Sequence, residues 1–255
     1  MKEFILKIYY CFLLSKEKAN LNQKRIRDTE WDSINSYIKQ GLFLDVGCGA
    51  GYAMKKAKEE AGCIPFGIDP NPMEHGVGRI NSNYNIDIEN LLQGHAENIP
   101  FPDQHFDTVY SSHVLEHVND KARSLQEMKR VLKNDGVLII GMPTATMAWI
   151  NWFTQVLFTT HTKFVNLLFS RMIKTGTTKW WELFIPASHS SAGKTVLSDI
   201  INYREKVWKS DIEQQFKIVK ILKPALYPFP EYRQLFKLRR LNNWSSSIFF
   251  ICEKQ

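Results

Sequence analysis

The 255-residue chain is long enough to close one substantial core, and 44% hydrophobic with 23% charged residues is ordinary for a folded soluble protein. No low-complexity tract or fixed-period repeat occurs, which excludes a solenoid or a long disordered tail. The net charge of +7 is uneven: residues 1–142 hold 17 Lys+Arg against 19 Asp+Glu, and residues 143–255 hold 16 against 7.

The basic half is expected either to meet something anionic (an acidic or phosphorylated substrate, a lipid headgroup, a nucleic acid) or simply to solvate helix surfaces. The cysteines Cys11, Cys48, Cys63 and Cys252 show neither CxxC pairing nor a histidine at ligand spacing. They read as reduced thiols of a cytosolic protein, with no disulfide frame and no metal site.

Residues 1–40 read as an N-terminal helical segment. The apolar run Ile8–Leu14 behind Lys2 and Lys7 imitates a signal peptide, but Ser15-Lys16-Glu17-Lys18 follows with no small-residue cleavage site. A first strand over 41–46 ends in Gly47-Cys48-Gly49-Ala50-Gly51, a helix follows over Tyr52–Ala61, and a second strand runs from Ile64 to Asp69. Asn90–Gly94 and Phe106–Tyr110 are the third and fourth strands, His117–Leu132 a helix, and Val137–Ile140 the fifth strand. Strands that are continuous apolar runs, alternating with helices, imply an α/β chain with a parallel sheet covered on both faces. Its ligand is expected beyond the C-terminal ends of the strands.

Gly136–Thr160 carries no charge and is long enough to span a bilayer, but Pro143 and Asn151 interrupt it. A buried strand followed by a helix lying on a membrane surface fits it better than a span. From 144 to 195 the chain reads as a helical, aromatic-rich insertion. Trp149, Trp152, Phe153, Val156 and Leu157 share one helix face, and Phe164, Phe169, Trp180, Trp181 and Phe184 continue the apolar character. This layer is either core packed on the sheet or a lid that receives an apolar substrate or a membrane surface. Residues 196–255 supply a helix over Tyr203–Phe216 and two last strands, Phe216–Leu222 and Ser247–Ile251. The long basic connection between these strands carries Arg233, Lys237, Arg239 and Arg240.

The glycine loop is the strongest signal. Glycine permits a sharp turn and a close backbone approach that any Cβ would obstruct. A dinucleotide fingerprint, G-x-G-x-x-G, would place its third glycine where Tyr52 stands. Here the spacing is G-x-G-x-G, with Asp45 two residues ahead, so a pyrophosphate is not the expected ligand. Asp69, 18 residues after Gly51, stands where a carboxylate accepts ribose hydroxyls. The pair points to an adenosine ligand.

Over residues 42–143 the chain resembles the class I S-adenosylmethionine (SAM) dependent methyltransferases, in the branch that includes quinone and small-molecule methyltransferases. The resemblance rests on Leu44–Gly51, Gly67-Ile68-Asp69, Gly94–Phe101, Phe106-Asp107, Val114–Val118 and Arg130–Gly136, in that order. It implies SAM as cofactor, a SAM-binding core over 41–143, and a Rossmann-like, doubly wound seven-stranded sheet with one antiparallel strand. By position it implies that Gly47, Gly49 and Gly51 shape the loop under the methionine part and that Asp45 lies near the amino end. Asp69 would hold the ribose, Ala96 and Glu97 lie beside the adenine, and Ser111 to His113 line the floor near the methyl group. His95 departs from the family pattern, which usually has an aspartate there. A neutral imidazole can accept from the adenine amino group and an imidazolium cannot.

A general base is needed only for a poorly ionised hydroxyl or a protonated amine. His113, Glu116, His117 and His189 are the candidates, and His113 and His189 the two preferred. Glu116 and His117, at a helix start, serve equally well as cap or packing. The expected acceptor is a small molecule, a glycan or a lipid-linked compound, with the enzyme cytoplasmic or peripheral to an anionic membrane. The alternatives are an RNA methyltransferase, for which no RNA-binding module is visible, and a SAM-binding protein without turnover.

Overall fold

The computed structural model describes residues 15–72, 74, 90–154, 195–227 and 244–255. Helix α1 (Lys16–Ile34) opens on Ser15, whose hydroxyl accepts from the Lys18 amide, and a short 3-10 turn (Asn35–Tyr37) follows it. Then come β1 (Leu42–Val46), α2 (Tyr52–Ala61), β2 (Ile64–Asp69), β3 (Leu91–Gln93), β4 (Phe106–Ser112), α3 (Lys121–Val131) and β5 (Leu132–Pro143). Helical backbone over 145–154 precedes α4 (Val196–Asn202), α5 (Glu205–Ile212), β6 (Phe216–Leu222) and β7 (Ser247–Lys254).

The seven strands form one sheet in the order β3-β2-β1-β4-β5-β7-β6. Neighbours from β3 through β5 are parallel, and β7 is antiparallel to both β5 and β6. This is a doubly wound, Rossmann-like seven-stranded sheet with a single antiparallel strand. Side chains alternate across it, so consecutive residues enter different cores. Leu44, Val109, Leu138 and Phe250 pack with Leu125 and Met128 of α3 and Trp208 of α5. Phe43, Tyr110, Ile139 and Ile251 pack with Trp31 and Ile34 of α1 and Ala53 and Ala57 of α2. Burial on both faces is why β5 and β7 carry long apolar runs, whereas the edge strands β3 and β6 stay partly exposed.

The helix expected from His117 begins instead at Lys121. Asp120 is the stronger start signal: its carboxylate accepts from the Arg123 amide at 2.9 Å and satisfies a donor the helix leaves open. Glu116 and His117 therefore lie in a turn, closed by the His117 amide donating to the Val114 carbonyl at 2.8 Å. The helix expected over Tyr203–Phe216 is confined to α5, and a further helix, α4, precedes it and ends at Tyr203. There the ring is buried and the carbonyl accepts from the Ala145 amide. β5 starts earlier than its apolar run, because Leu132 already pairs with Phe106 before a register shift.

The run Ile8–Leu14, residues 155–194 of the insertion with His189, and the basic connection over 228–243 lie outside the described residues. At the start of the insertion Trp149 and Phe153 are 52% and 58% exposed, whereas Met147, Ala148 and Asn151 are buried. Trp149 and Phe153 thus point away from the core, and Trp152 is half-buried. Among the described residues no helix is long and apolar enough to cross a membrane. Cys48, Cys63 and Cys252 are buried free thiols.

Candidate active site

The strand order reverses between β1 and β4, where the chain leaves in opposite directions and a crevice opens beyond the strand ends. A cleft of about 710 Å³ lies there, walled by the residues that follow β1, β2 and β4 and by α1. The glycine loop forms one side. Gly47, Gly49 and Gly51 have φ of +79°, +52° and +79°, a region costly to a side-chain-bearing residue. The Gly47 and Cys48 amides both donate to the Ile68 carbonyl, at 2.8 and 3.1 Å, tying the loop to the end of β2. A Cβ on Gly47 would stand 2.2 Å from Val114 Cγ2.

Asp69 closes the loop from the other side. Its Oδ2 accepts from the Gly49 amide at 2.9 Å and its Oδ1 from the Asn71 amide at 2.8 Å. Each oxygen keeps a lone pair, and the residue lines the cleft, so the carboxylate can still accept two hydroxyl hydrogens. Asp45, 2% exposed, is held differently: burial and then the neighbouring Asp69 push its pKa up to about 8, partly opposed by Arg27. It favours its neutral form at pH 7 and would favour the carboxylate again beside a cation.

The third wall is the 94–101 loop. The Gly94 amide donates to the Asp69 carbonyl at 3.0 Å, and Glu97 accepts from the Asn119 amide at 3.1 Å. Behind it the Glu127–Arg130 pair takes both backbone groups of Ile99: Glu127 accepts from the amide at 3.0 Å and Arg130 donates to the carbonyl at 2.8 Å. One ion pair thus fixes the loop that carries His95, Ala96 and Glu97 into the cleft.

The fourth wall escaped the sequence reading. Gln23 and Arg27 of α1 line the cleft, and Tyr52 joins them with its hydroxyl donating to Asp28 at 2.6 Å. Arg27 donates to Glu30 at 2.6 Å, and the Tyr227 hydroxyl donates to the other Glu30 oxygen at 2.5 Å. Burial alone would discourage ionisation of Glu30, but Arg27 and then His113 hold its carboxyl well below the usual range. The only sequence signal was a polar face on α1 with Gln23, Arg27 and Glu30 at helical spacing, which any solvated helix could show.

His113 directly follows β4 with φ +57°, a left-handed conformation for a side-chain-bearing residue, while its amide donates to the Gly141 carbonyl at 2.9 Å. Its Nε2 lies 3.8 Å from Glu30 Oε1 and its Nδ1 3.4 Å from Glu116 Oε1. Burial and Arg27 would lower the pKa of the ring, but Glu116 and Glu30 outweigh them and raise it. Glu116 responds in reverse: burial would raise it, and His113 and His117 draw it below the usual range.

The fold therefore brings Asp45, Gly47, Gly49, Asp69, His95, Ala96, Glu97 and His113 to one cleft, with His117 at its edge. Gly51 stands behind the wall as the N-cap of α2. Ser111 is buried within β4 at 1% exposure, and Ser112 is the serine on the cleft wall, because side chains alternate along the strand. Among the described residues no group of three His, Cys, Asp or Glu side chains is placed to hold a metal.

Residues 44–140 match the model of a methyltransferase domain family. Among curated relatives, a tRNA U34 carboxymethyltransferase of Saccharophagus degradans is 33% identical over 124 residues, 44% of this chain and 36% of the relative. A ubiquinone/menaquinone biosynthesis C-methyltransferase of Vibrio campbellii is 33% identical over 101 residues, 38% of this chain and 39% of the relative. The chain thus spans little more than a third of either relative. The structure of a SAM-dependent methyltransferase from Thermotoga maritima superposes with a TM-score of 0.55 at 16% identity, over 89% of this chain and 88% of that one. That likeness concerns the fold alone.

Proposed function

We propose that this chain, whose residues 44–140 belong to the class I SAM-dependent methyltransferases, transfers a methyl group from SAM to a small-molecule, glycan or lipid-linked acceptor. One observation carries the reading: a single cleft gathers a three-glycine loop, a carboxylate with spare acceptor capacity at the end of β2, and a buried aspartate that awaits a cation. The donor set fits SAM part by part. Asp69 would take the ribose hydroxyls, His95, Ala96 and Glu97 the adenine edge, and the backbone at Gly47 and Gly49 the methionine chain. Asp45 suits the ammonium and Arg27 the carboxylate.

When bound, SAM supplies a methyl group already activated on a sulfonium, so the hard chemistry belongs to the cofactor. The chain's own residues have three tasks: to aim the acceptor in line with that methyl, to keep water out, and to receive a proton if the acceptor carries one. The walls formed by α1, the glycine loop and the 113–119 turn serve the first two. His113 is the group beside them suited to the third.

The two curated relatives each match a segment of no more than 44% of this chain, and their names point to different acceptors, a tRNA base and a quinone. The choice of acceptor is thus expected to reside outside that segment. Two observations favour a small or lipid-linked acceptor. Residues 143–255 carry the whole positive excess, and Trp149 and Phe153 stand exposed just beyond the end of β5. Exposed aromatic side chains suit a membrane surface, and a basic half of the chain suits an anionic one. Incubation with methyl-labelled SAM and a fractionated lysate tests the acceptor: label in lipid, glycan or small metabolites supports the reading, and label in RNA alone overturns it. Flotation with anionic vesicles tests the surface contact, which recovery of all protein in the unbound fraction would refute.

A further inference from the structure

We infer that Glu30 and Tyr227 are positioning residues for Arg27, a relay from the start of β7 to the cleft that makes the cleft select an adenosyl ligand bearing a free carboxylate. The inference rests on the methyltransferase reading and on the place that reading gives Arg27. It adds two residues that lie outside the 44–140 segment matching the methyltransferase domain family.

The relay runs through groups that are each fixed. Ser246, directly before β7, is pinned through its backbone: its amide donates to the Ala225 carbonyl at 2.8 Å and its carbonyl accepts from the Thr144 amide at 3.1 Å. Its hydroxyl accepts from the Tyr227 amide at 2.8 Å and donates to the Tyr227 carbonyl at 2.5 Å, which fixes the backbone from which the phenol projects. The Tyr227 hydroxyl donates to Glu30 Oε1 at 2.5 Å, and Glu30 Oε2 accepts from Arg27 Nη1 at 2.6 Å. Ile26, next to Arg27, packs with Ala225 and Tyr227 in a small core of its own. Along this line burial relaxes at one place only: the side chain of Glu30 is 1% exposed and that of Arg27 25%. The guanidinium is the member that reaches the cleft, which it lines together with Asp45 and Gly47.

A free arginine on a helix surface has several rotatable bonds, and ordering it only when a ligand arrives weakens binding. Here both oxygens of a buried carboxylate are engaged, one by the phenol and one by the guanidinium, so the guanidinium is oriented in advance. A guanidinium carries five N–H donors, and Glu30 is its acceptor among the described residues, so donors remain for a second carboxylate. The negative charge of Glu30 does not repel that carboxylate from the site, because Glu30 stands behind the guanidinium and does not line the cleft. Asp45 lines the same cleft and suits an ammonium, so the two side chains together match the zwitterionic end of an amino acid. An adenosyl ligand with the amine alone leaves the prearranged donors of Arg27 unpaired, and a site built to pair a group discriminates against an analogue that lacks it.

The test is calorimetric titration of the full chain with S-adenosylhomocysteine and with its decarboxylated form, which keeps the amine and lacks the carboxylate. Neither carries the sulfonium, so the ratio of the two dissociation constants reports the carboxylate alone. Wild type should prefer S-adenosylhomocysteine by about 10- to 100-fold, and Arg27→Met should bring the ratio close to one. Tyr227→Phe removes the distant hydroxyl and no charge. It should lower the ratio by about three- to tenfold with little change in affinity for the decarboxylated ligand. A Tyr227 that only supported the fold would weaken both ligands alike and leave the ratio unmoved. Should Tyr227→Phe fail to fold, Glu30→Asp, which keeps the charge but draws it back by a methylene, decides the matter by the same ratio. A ratio unmoved by Arg27→Met or by Tyr227→Phe overturns the inference. Wild type that binds both ligands equally sinks only this inference, whereas wild type that binds neither sinks the methyltransferase reading beneath it.

Discussion

Replacing Gly47 by alanine is expected to be costly for two independent reasons. At φ +79° the backbone lies in the left-handed region, which costs about 1–2 kcal/mol for an L-residue with a Cβ. The new Cβ would stand 2.2 Å from Val114 Cγ2 and 3.3 Å from Val114 Cβ. Val114 is β-branched and stiff, so the clash cannot be relieved by moving the end of a flexible chain. Overpacking of this kind costs about 1–3 kcal/mol, and the expected total is roughly 2–5 kcal/mol, against typical domain stabilities of about 5–15 kcal/mol. Urea denaturation of wild type, Gly47→Ala, Val114→Ala and the double variant measures it. The double variant should recover the steric part and leave the backbone part, giving an interaction energy of about 1–3 kcal/mol. A loss below about 0.5 kcal/mol for Gly47→Ala, or no recovery in the double variant, would refute the argument.

Binding of SAM should depend on pH through Asp45. The empty protein holds that proton up to about pH 8, and a cation beside the carboxylate lowers its pKa in the complex, so binding releases a proton. Affinity should therefore rise between about pH 6 and 8, by up to about tenfold per unit, and level off above. Calorimetry in buffers of different ionisation heat checks this, and Asp45→Asn should flatten the dependence. Heat independent of buffer would contradict it. In Asp120→Ala the loss of the α3 cap should cost about 1 kcal/mol in chemical denaturation with little change in SAM affinity, and a cost indistinguishable from zero would mean the cap is idle.

The sheet and the glycine-loop side of the cleft were legible because backbone geometry constrains them locally. A left-handed turn calls for glycine at 47, 49 and 51, and a buried strand calls for an apolar run such as Val137–Ile140. The start of α3 was not legible from periodicity, since Val118 continues the helical spacing whether or not the helix has begun. Asp120 decides it by capping. Of the expected Ser111 to His113, Ser111 is off the cleft wall because β4 runs two residues past its expected end, and the facing of each serine depends on pairing to β1 and β5. Arg27 and Glu30 were the largest omission. Their sequence neighbours describe an ordinary polar helix, and the burial of Glu30 involves partners far along the chain, His113 and, 197 residues after Glu30, Tyr227. Long-range contacts of that kind leave no local pattern to read.

The proposed role of the cleft is tested most directly by titrating wild type and Asp69→Ala with S-adenosylhomocysteine. Wild type should bind one equivalent. Loss of two hydrogen bonds to a carboxylate, at about 1.5–3 kcal/mol each, should weaken the variant on the order of 100-fold or more. No heat with wild type, or equal affinity in the variant, would contradict the assignment of this cleft to an adenosyl ligand.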